Sequence, residues 1–154
     1  MAIRNIVKEG DERLAKVCRP VEKFDKRLED LVRDMKDTLK LAEGLGLAAP
    51  QIGILRRIVV ILDDDGKMFE LINPEITEAV GEQEAHEGCL SVPGKYGVTR
   101  RPARVTVRAK NVKGEDVTYT REGITAVCFC HELDHLDGIL FRTHVEHYLD
   151  PDED

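Results

Sequence analysis

The stretch 122-EGITAVCFCHELDHL-136 breaks a long run of strand-like segments with a helical period. Ile124, Val127, Cys128, His131 and His135 recur along one stripe, and Gly138 follows as a stop. Working back from it, 57-RIVVILDDDGKMFELIN-73 has two β-branched or apolar runs around DDDG, the pattern of a hairpin. ITEAVGEQEAHEG, YGVTR, ARVTVRA and DVTYT are short, alternate with polar residues and are punctuated by Gly, Pro or Asn. That pattern predicts antiparallel pairing rather than βαβ units. Near the N-terminus, residues 25–43 place Leu28, Leu31, Val32, Met35 and Leu39 at helical spacing with Gly44 as the stop, which predicts an amphipathic helix. The block 44-GLGLAAPQIG-53 is too rich in glycine, and too interrupted by Pro50, to predict a regular element. THVEHYLDPDED at the end is expected to be a short helix or an acidic tail. The expected fold is α+β, with antiparallel or mixed sheets packed around the late helix and an amphipathic helix before them.

The chain has 154 residues, which suits a single domain over 1–154. Hydrophobic residues make up 42% and charged residues 34%, as in globular proteins. A formal charge of −7 argues against broad binding to a nucleic-acid backbone or an anionic membrane surface. The opening MAIRNIVKEGDERLAKVCRP contains no apolar run of signal-peptide or membrane-span length, so a cytoplasmic location is expected. Four cysteines, Cys18, Cys89, Cys128 and Cys130, are too few and too unevenly spaced for a disulfide framework.

Within the late helix, HELDH (131–135) sets two histidines one turn apart on one face, so both imidazoles reach a common ion. Glu132 stands beside them, placed to act on a water held there. A catalytic site of this type needs a third protein ligand. Metzincin-type peptidases would have a histidine where Phe141 stands, and Glu146 and Glu153 are poorly placed for the glutamate that other peptidases use. An upstream ligand is therefore expected, and Cys89 in 86-HEGCLSVPG-94, ahead of a proline turn, is the candidate. His86 lies three residues from it in extended chain, which points the two side chains to opposite faces. Cys128 and Cys130, two apart on a helix, point to different faces and are expected to be structural, as is Cys18. His144 and His147 are expected on a solvated face.

Three blocks, GLGLAAPQIG, EGCLS and HELDH, stand in this order, and with them nearly the whole chain closely resembles the peptide deformylase family. The resemblance implies removal of the formyl group from N-formylmethionine at the start of nascent bacterial proteins. It implies Cys89, His131 and His135 as ligands of one divalent metal and Glu132 as general acid/base. Gln51 and the Leu90 backbone N–H are the implied donors to the oxyanion, and Leu45, Gly46, Gly88 and Leu90 match positions lining the substrate cleft. Val127 and Cys128, with Ile124, are candidates for the slot that takes the methionine side chain, and Glu87 is expected to pair with Arg101. The family generally works with Fe²⁺, and a Cys/His/His set also accepts Zn²⁺, Ni²⁺ or Co²⁺.

Two departures stand out. Cys130 occupies the place where the family usually has glutamine. The acidic DPDED tail differs from the basic ribosome-docking helix of some members, so any ribosome contact is expected to be transient. The competing readings are a zinc peptidase, disfavoured by the missing downstream ligand, and a structural zinc module, disfavoured because such sites fill all four positions with protein ligands.

Overall fold

The computed structural model describes residues 3–149. The first helix, α1, spans Lys26–Ala42, with the Asp25 carboxylate capping it by accepting from the Leu28 N–H. Leu28, Val32, Met35 and Leu39 are buried along one face. The expected glycine stop is displaced by one residue. Glu43 adopts the left-handed conformation (φ 56°), and its N–H returns to the Leu39 and Lys40 carbonyls. Gly44 answers a packing need instead, because a Cβ there would lie 3.0 Å from both Leu39 Cδ1 and Leu90 Cδ1.

The GLGLAAPQIG block is more regular than its composition predicts. Gly46–Ala48 forms strand β1, and Ala49–Ile52 forms a 3-10 turn. Backbone pairing overrides the weak strand propensity of glycine here: β1 runs antiparallel to β2 (Ile58–Leu62), with Leu47 opposite Val60. β3 (Met68–Val80) completes the hairpin expected around DDDG, closed by the Asp63 N–H donating to the Lys67 carbonyl. β4 (Gln83–Cys89), β5 (Val92–Arg101), β6 (Arg104–Lys110) and β7 (Asp116–Glu122) follow. Two sheets result, one of five strands in the order β1-β2-β3-β6-β7, the other of β4-β5-β8, where β8 is the late strand His147–Leu149. All pairings between these strands are antiparallel, so the mixed alternative falls away.

β8 (His147–Leu149) lies where a final helix or tail was expected. It pairs with Tyr96–Val98 of β5 and satisfies backbone groups that would otherwise form an open edge. Residues 150–154, which contain DPDED, lie outside the described residues.

The second helix, α2 (Gly123–Leu136), is buried nearly all round. Ala126, Phe129, Leu133 and Leu136 pack with Val59, Ile61, Leu71, Val105 and Val107. On the other face of the same sheet, Ile58, Val60 and Ile72 meet Leu28, Val32, Met35 and Leu39 of α1. The unbroken IVVIL run of β2 is thus explained by a helix on each face, one receiving Ile58 and Val60, the other Val59 and Ile61. Cys18, Cys128 and Cys130 all belong to the α2 side of this core, since a helix covered all round has no solvent face to separate two cysteines. Among the described residues, no helix is long and apolar enough to cross a membrane.

Candidate active site

α2 brings its histidines to the turn between β4 and β5. Leu90 and Ser91 make that turn, and the register slips between Gly88–Tyr96 and Cys89–Val92, so Cys89 leaves the regular ladder beside the helix. Ligand-type atoms of Cys89, His131 and His135 lie within 4.8 Å of one another, and Cys89 Sγ is 3.3 Å from His135 Nε2. His86, by contrast, is exposed and sits 3.7 Å from Glu84.

The electrostatics favour a cation in this cluster. Burial, and then the charge of His131, lowers His135 to a pKa of about 3, leaving its ring neutral with a lone pair available. Burial alone would lower His131 too, but the negative charge of Glu132 and hydrogen bonding to Cys89 and Glu87 push it up to about 10. The negative charge around His131 thus favours a cation at this position. A divalent ion on one thiolate and two neutral rings would fill the same electrostatic role, and this donor set fits such an ion.

Behind the His131 ring lies a buried polar network that fixes it. Glu87 Oε1 is 2.8 Å from His131 Nδ1. Arg101 donates to the same carboxylate from Nε at 2.7 Å and Nη2 at 3.0 Å, so the expected Glu87–Arg101 pair is formed, and Thr99 Oγ1 donates to it as well. Burial disfavours the Glu87 charge, yet these hydrogen bonds outweigh it and hold the carboxyl at about 2. Arg101 Nη1 also reaches Asp134 Oδ2 at 3.0 Å, and His144 Nε2 meets that oxygen at 3.1 Å. His144 is thus tied to the network rather than simply solvated. Phe141, standing where a peptidase would have its third histidine, stacks at 5.8 Å on the His131 ring.

Glu132 is buried, and its Oε1 has no hydrogen-bond partner among the described residues. Burial, with the neighbouring charges of Glu87 and Asp134, raises its pKa to about 7 against the opposing charge of His131. β1 runs directly over it, since a Cβ on Gly46 would lie 2.7 Å from Glu132 Oε2. Only glycine fits there.

Gln51 is fully buried. Its Oε1 accepts from the Ala48 N–H at 2.9 Å. That bond fixes the amide orientation and turns Nε2 toward Ser91 Oγ at 3.2 Å and Cys89 Sγ at 3.6 Å. Gln51 and Cys89 border a cleft of about 600 Å³. Leu45, Gly46, Gly88, Leu90, Val127 and Cys128 all line it. Leu45 and Ile124 are exposed at its mouth, while Val127 and Cys128 lie deeper. Burial pushes the Cys128 thiol up to about 12 and the Cys130 thiol to about 11, so both are neutral, apolar lining or core groups.

Ser91, Thr99, Asp134 and Tyr96 were not singled out from the sequence. The signal for Thr99 was available: it stands two residues from Arg101 in a strand, hence on the same face. Tyr96 comes close enough to Gly88 that a Cβ there would lie 2.7 Å from its Cε1.

An antiparallel α+β fold with a cysteine sulfur and two imidazoles clustered beside a buried glutamate that lines a cleft has the makings of a metallohydrolase. The comparisons narrow the class. The family model described as polypeptide deformylase matches residues 3–149. Peptide deformylase of Acetivibrio thermocellus is 53% identical, with 99% of this chain and 89% of that protein covered. Peptide deformylase 2 of Clostridium acetobutylicum is 50% identical, over 97% of this chain and 99% of that one. The crystal structure of a Legionella pneumophila peptide deformylase superposes with a TM-score of 0.90 at 47% identity, covering 94% of this chain and 87% of its own. The chain belongs to the polypeptide deformylase family.

Proposed function

We propose that the chain acts as one catalytic domain over 1–154 that hydrolyses the formyl group from the N-formylmethionine of nascent peptides and releases formate. The observation that supports this most directly is the meeting of Cys89, His131 and His135 beside the unpartnered Glu132 carboxylate. Cys89, His131 and His135 would hold one divalent ion, with Fe²⁺ as the working metal and Zn²⁺, Ni²⁺ or Co²⁺ able to replace it. Such an ion, when bound, acidifies water and polarises a carbonyl.

The residues of the chain do the rest. Glu132, with its pKa raised to about 7, accepts the proton of the attacking water as the water oxygen bonds to the formyl carbon. It then passes that proton to the methionine nitrogen as the C–N bond breaks, giving a free amine and formate. Negative charge that collects on the formyl oxygen is met by Gln51 Nε2, whose direction the Ala48 N–H fixes, and by the Leu90 N–H. Leu45, Gly46 and Gly88 line the path of the peptide backbone, and Val127 and Cys128, with Ile124, line the methionine slot. Glu87 holds His131 in its ring orientation through Nδ1. The setting is the cytoplasm, where the substrates are nascent chains met in transient contact with the ribosome, without nucleic-acid or membrane binding.

The test is formate release from formyl-Met-Ala-Ser by protein purified without oxygen and loaded with Fe²⁺, with the unformylated peptide as control. Formate should appear, stop on chelation and return with the metal. Glu132→Gln should keep the metal and lose ~10²–10⁴-fold in turnover. Full activity in that variant would overturn the role given to Glu132.

A further inference from the structure

We propose that Lys8 and Lys95 are specificity-determining residues that favour formylated peptides with an acidic side chain soon after the methionine. The inference rests on the deformylase reading and adds a substrate preference to it. Both lysines are exposed and both line the cleft that contains Cys89 and Glu132. They approach it from different elements. Lys8 lies on the N-terminal segment that runs along the Leu90–Ser91 turn, where its Nζ is 3.4 Å from the Leu90 carbonyl and the Glu9 N–H donates to the Ser91 carbonyl. Lys95 lies in the slipped part of β5, next to Tyr96, which covers Gly88.

Neither ammonium is in an ion pair among the described residues. The acidic side chains that line the cleft itself, Glu87 and Glu132, are both buried. Glu87 is paired with Arg101, and Glu9 is held by Arg142. His86 also lines the cleft, with its Nε2 3.7 Å from Glu84 Oε1. The exposed charged side chains among the lining residues are therefore those of Lys8 and Lys95, on a chain whose formal charge is −7. Exposed charges beyond about 8 Å are largely screened at physiological ionic strength, so the local lysines outweigh the distant acids.

The substrate's chemistry makes this consequential. A formylated N-terminus is a neutral amide, so any charge at the start of the peptide resides in its side chains.

The test compares kcat/KM for formyl-Met-Ala-Glu, formyl-Met-Ala-Lys and formyl-Met-Ala-Ser, each amidated at its C-terminus, on the metal-loaded enzyme. The Glu:Lys ratio is the readout, since it does not depend on the fraction of active protein. It should be about 3- to 10-fold at low salt, the size expected of exposed charge pairs, and shrink toward unity near 1 M salt. In K8E/K95E it should invert, and in K8Q/K95Q it should fall to near one. A ratio that is the same in wild type and both variants, or that favours the Lys peptide in wild type, would overturn the proposal. Absence of formate from the Ser peptide in every form would instead overturn the deformylase reading, and this inference with it.

Discussion

Two arginine–carboxylate forks of nearly the same geometry sit in different surroundings. Arg101 grips Glu87 with its side chains 5% and 3% exposed, between α2 and the small sheet. Arg121 grips Asp63 at 2.9 and 2.8 Å, with side chains 27% and 15% exposed, at the edge of the large sheet. The second ties β7 to a hairpin turn near water. The first is desolvated, and both partners reach further, Glu87 to His131 and Arg101 to Asp134. One geometry therefore does two jobs: at the surface it trims stability, and in the dry region it sets the orientation of a ring that we propose as a metal ligand.

Arg101→Ala should sharpen this contrast most. It strands the Glu87 charge in the interior, with an expected loss of ~3–5 kcal/mol, measured by denaturant unfolding. Metal affinity, measured by competition with a chelator, should also fall ~10–100-fold as His131 loses its fixed partner. Unchanged affinity would mean that the network only holds the fold together. Leu71→Ala, on the apolar side of α2, should cost a comparable ~2–5 kcal/mol through cavity formation. The folded fraction of that variant should bind metal as the wild type does, and a parallel loss of affinity would erase the distinction between the two sides.

Gly46→Ala is smaller in stability, ~1–3 kcal/mol from overpacking against Glu132, but turnover should drop further than unfolding accounts for. A temperature-corrected kcat equal to wild type would show that Glu132 can shift without consequence. Arg121→Gln should have the least effect, ~0.2–1 kcal/mol at neutral pH. Hydrogen bonding and charge from Arg121 hold the Asp63 pKa below its ordinary value, against the cost of burial. The contribution of this pair is therefore present above the unfolded aspartate pKa near ~3.9 and is lost as pH falls below it. Wild type and variant should converge in stability in acid, and a gap that persists there would assign the effect to the lost contact of the Arg121 guanidinium with the Phe69 and Tyr119 rings.

Much of the scaffold was legible because it depends on local pattern. The IVVIL run, the alternating strands and the helical stripe that carries HELDH state their periods within a few residues of sequence. What was missed depends on pairing with remote chain. GLGLA lacks strand propensity and becomes β1 because β2 offers its edge, and HYL becomes β8 because β5 does. The site divides in the same way. HELDH declares itself by spacing and Cys89 by the need for an upstream third ligand, whereas Gln51 was recognisable only as a member of an ordered block. The grip of Asp134 on Arg101 and of Thr99 on Glu87 joins elements whose juxtaposition no local period records.

The charged network has a kinetic counterpart. Glu87, Thr99 and Arg101 belong to the β4–β5 hairpin, whereas His131 and Asp134 belong to α2. Half of such a network buried without the other half is strongly penalised. The hairpin and the helix must therefore dock together, and intermediates with one in place and the other loose are removed from the folding landscape. Amides of β4, β5 and α2 should share one opening free energy in hydrogen exchange, and separate values would refute this coupling. A chain built this way presents its three ligand-type side chains to a metal only after folding is complete, so a half-formed site has little chance to capture the wrong ion.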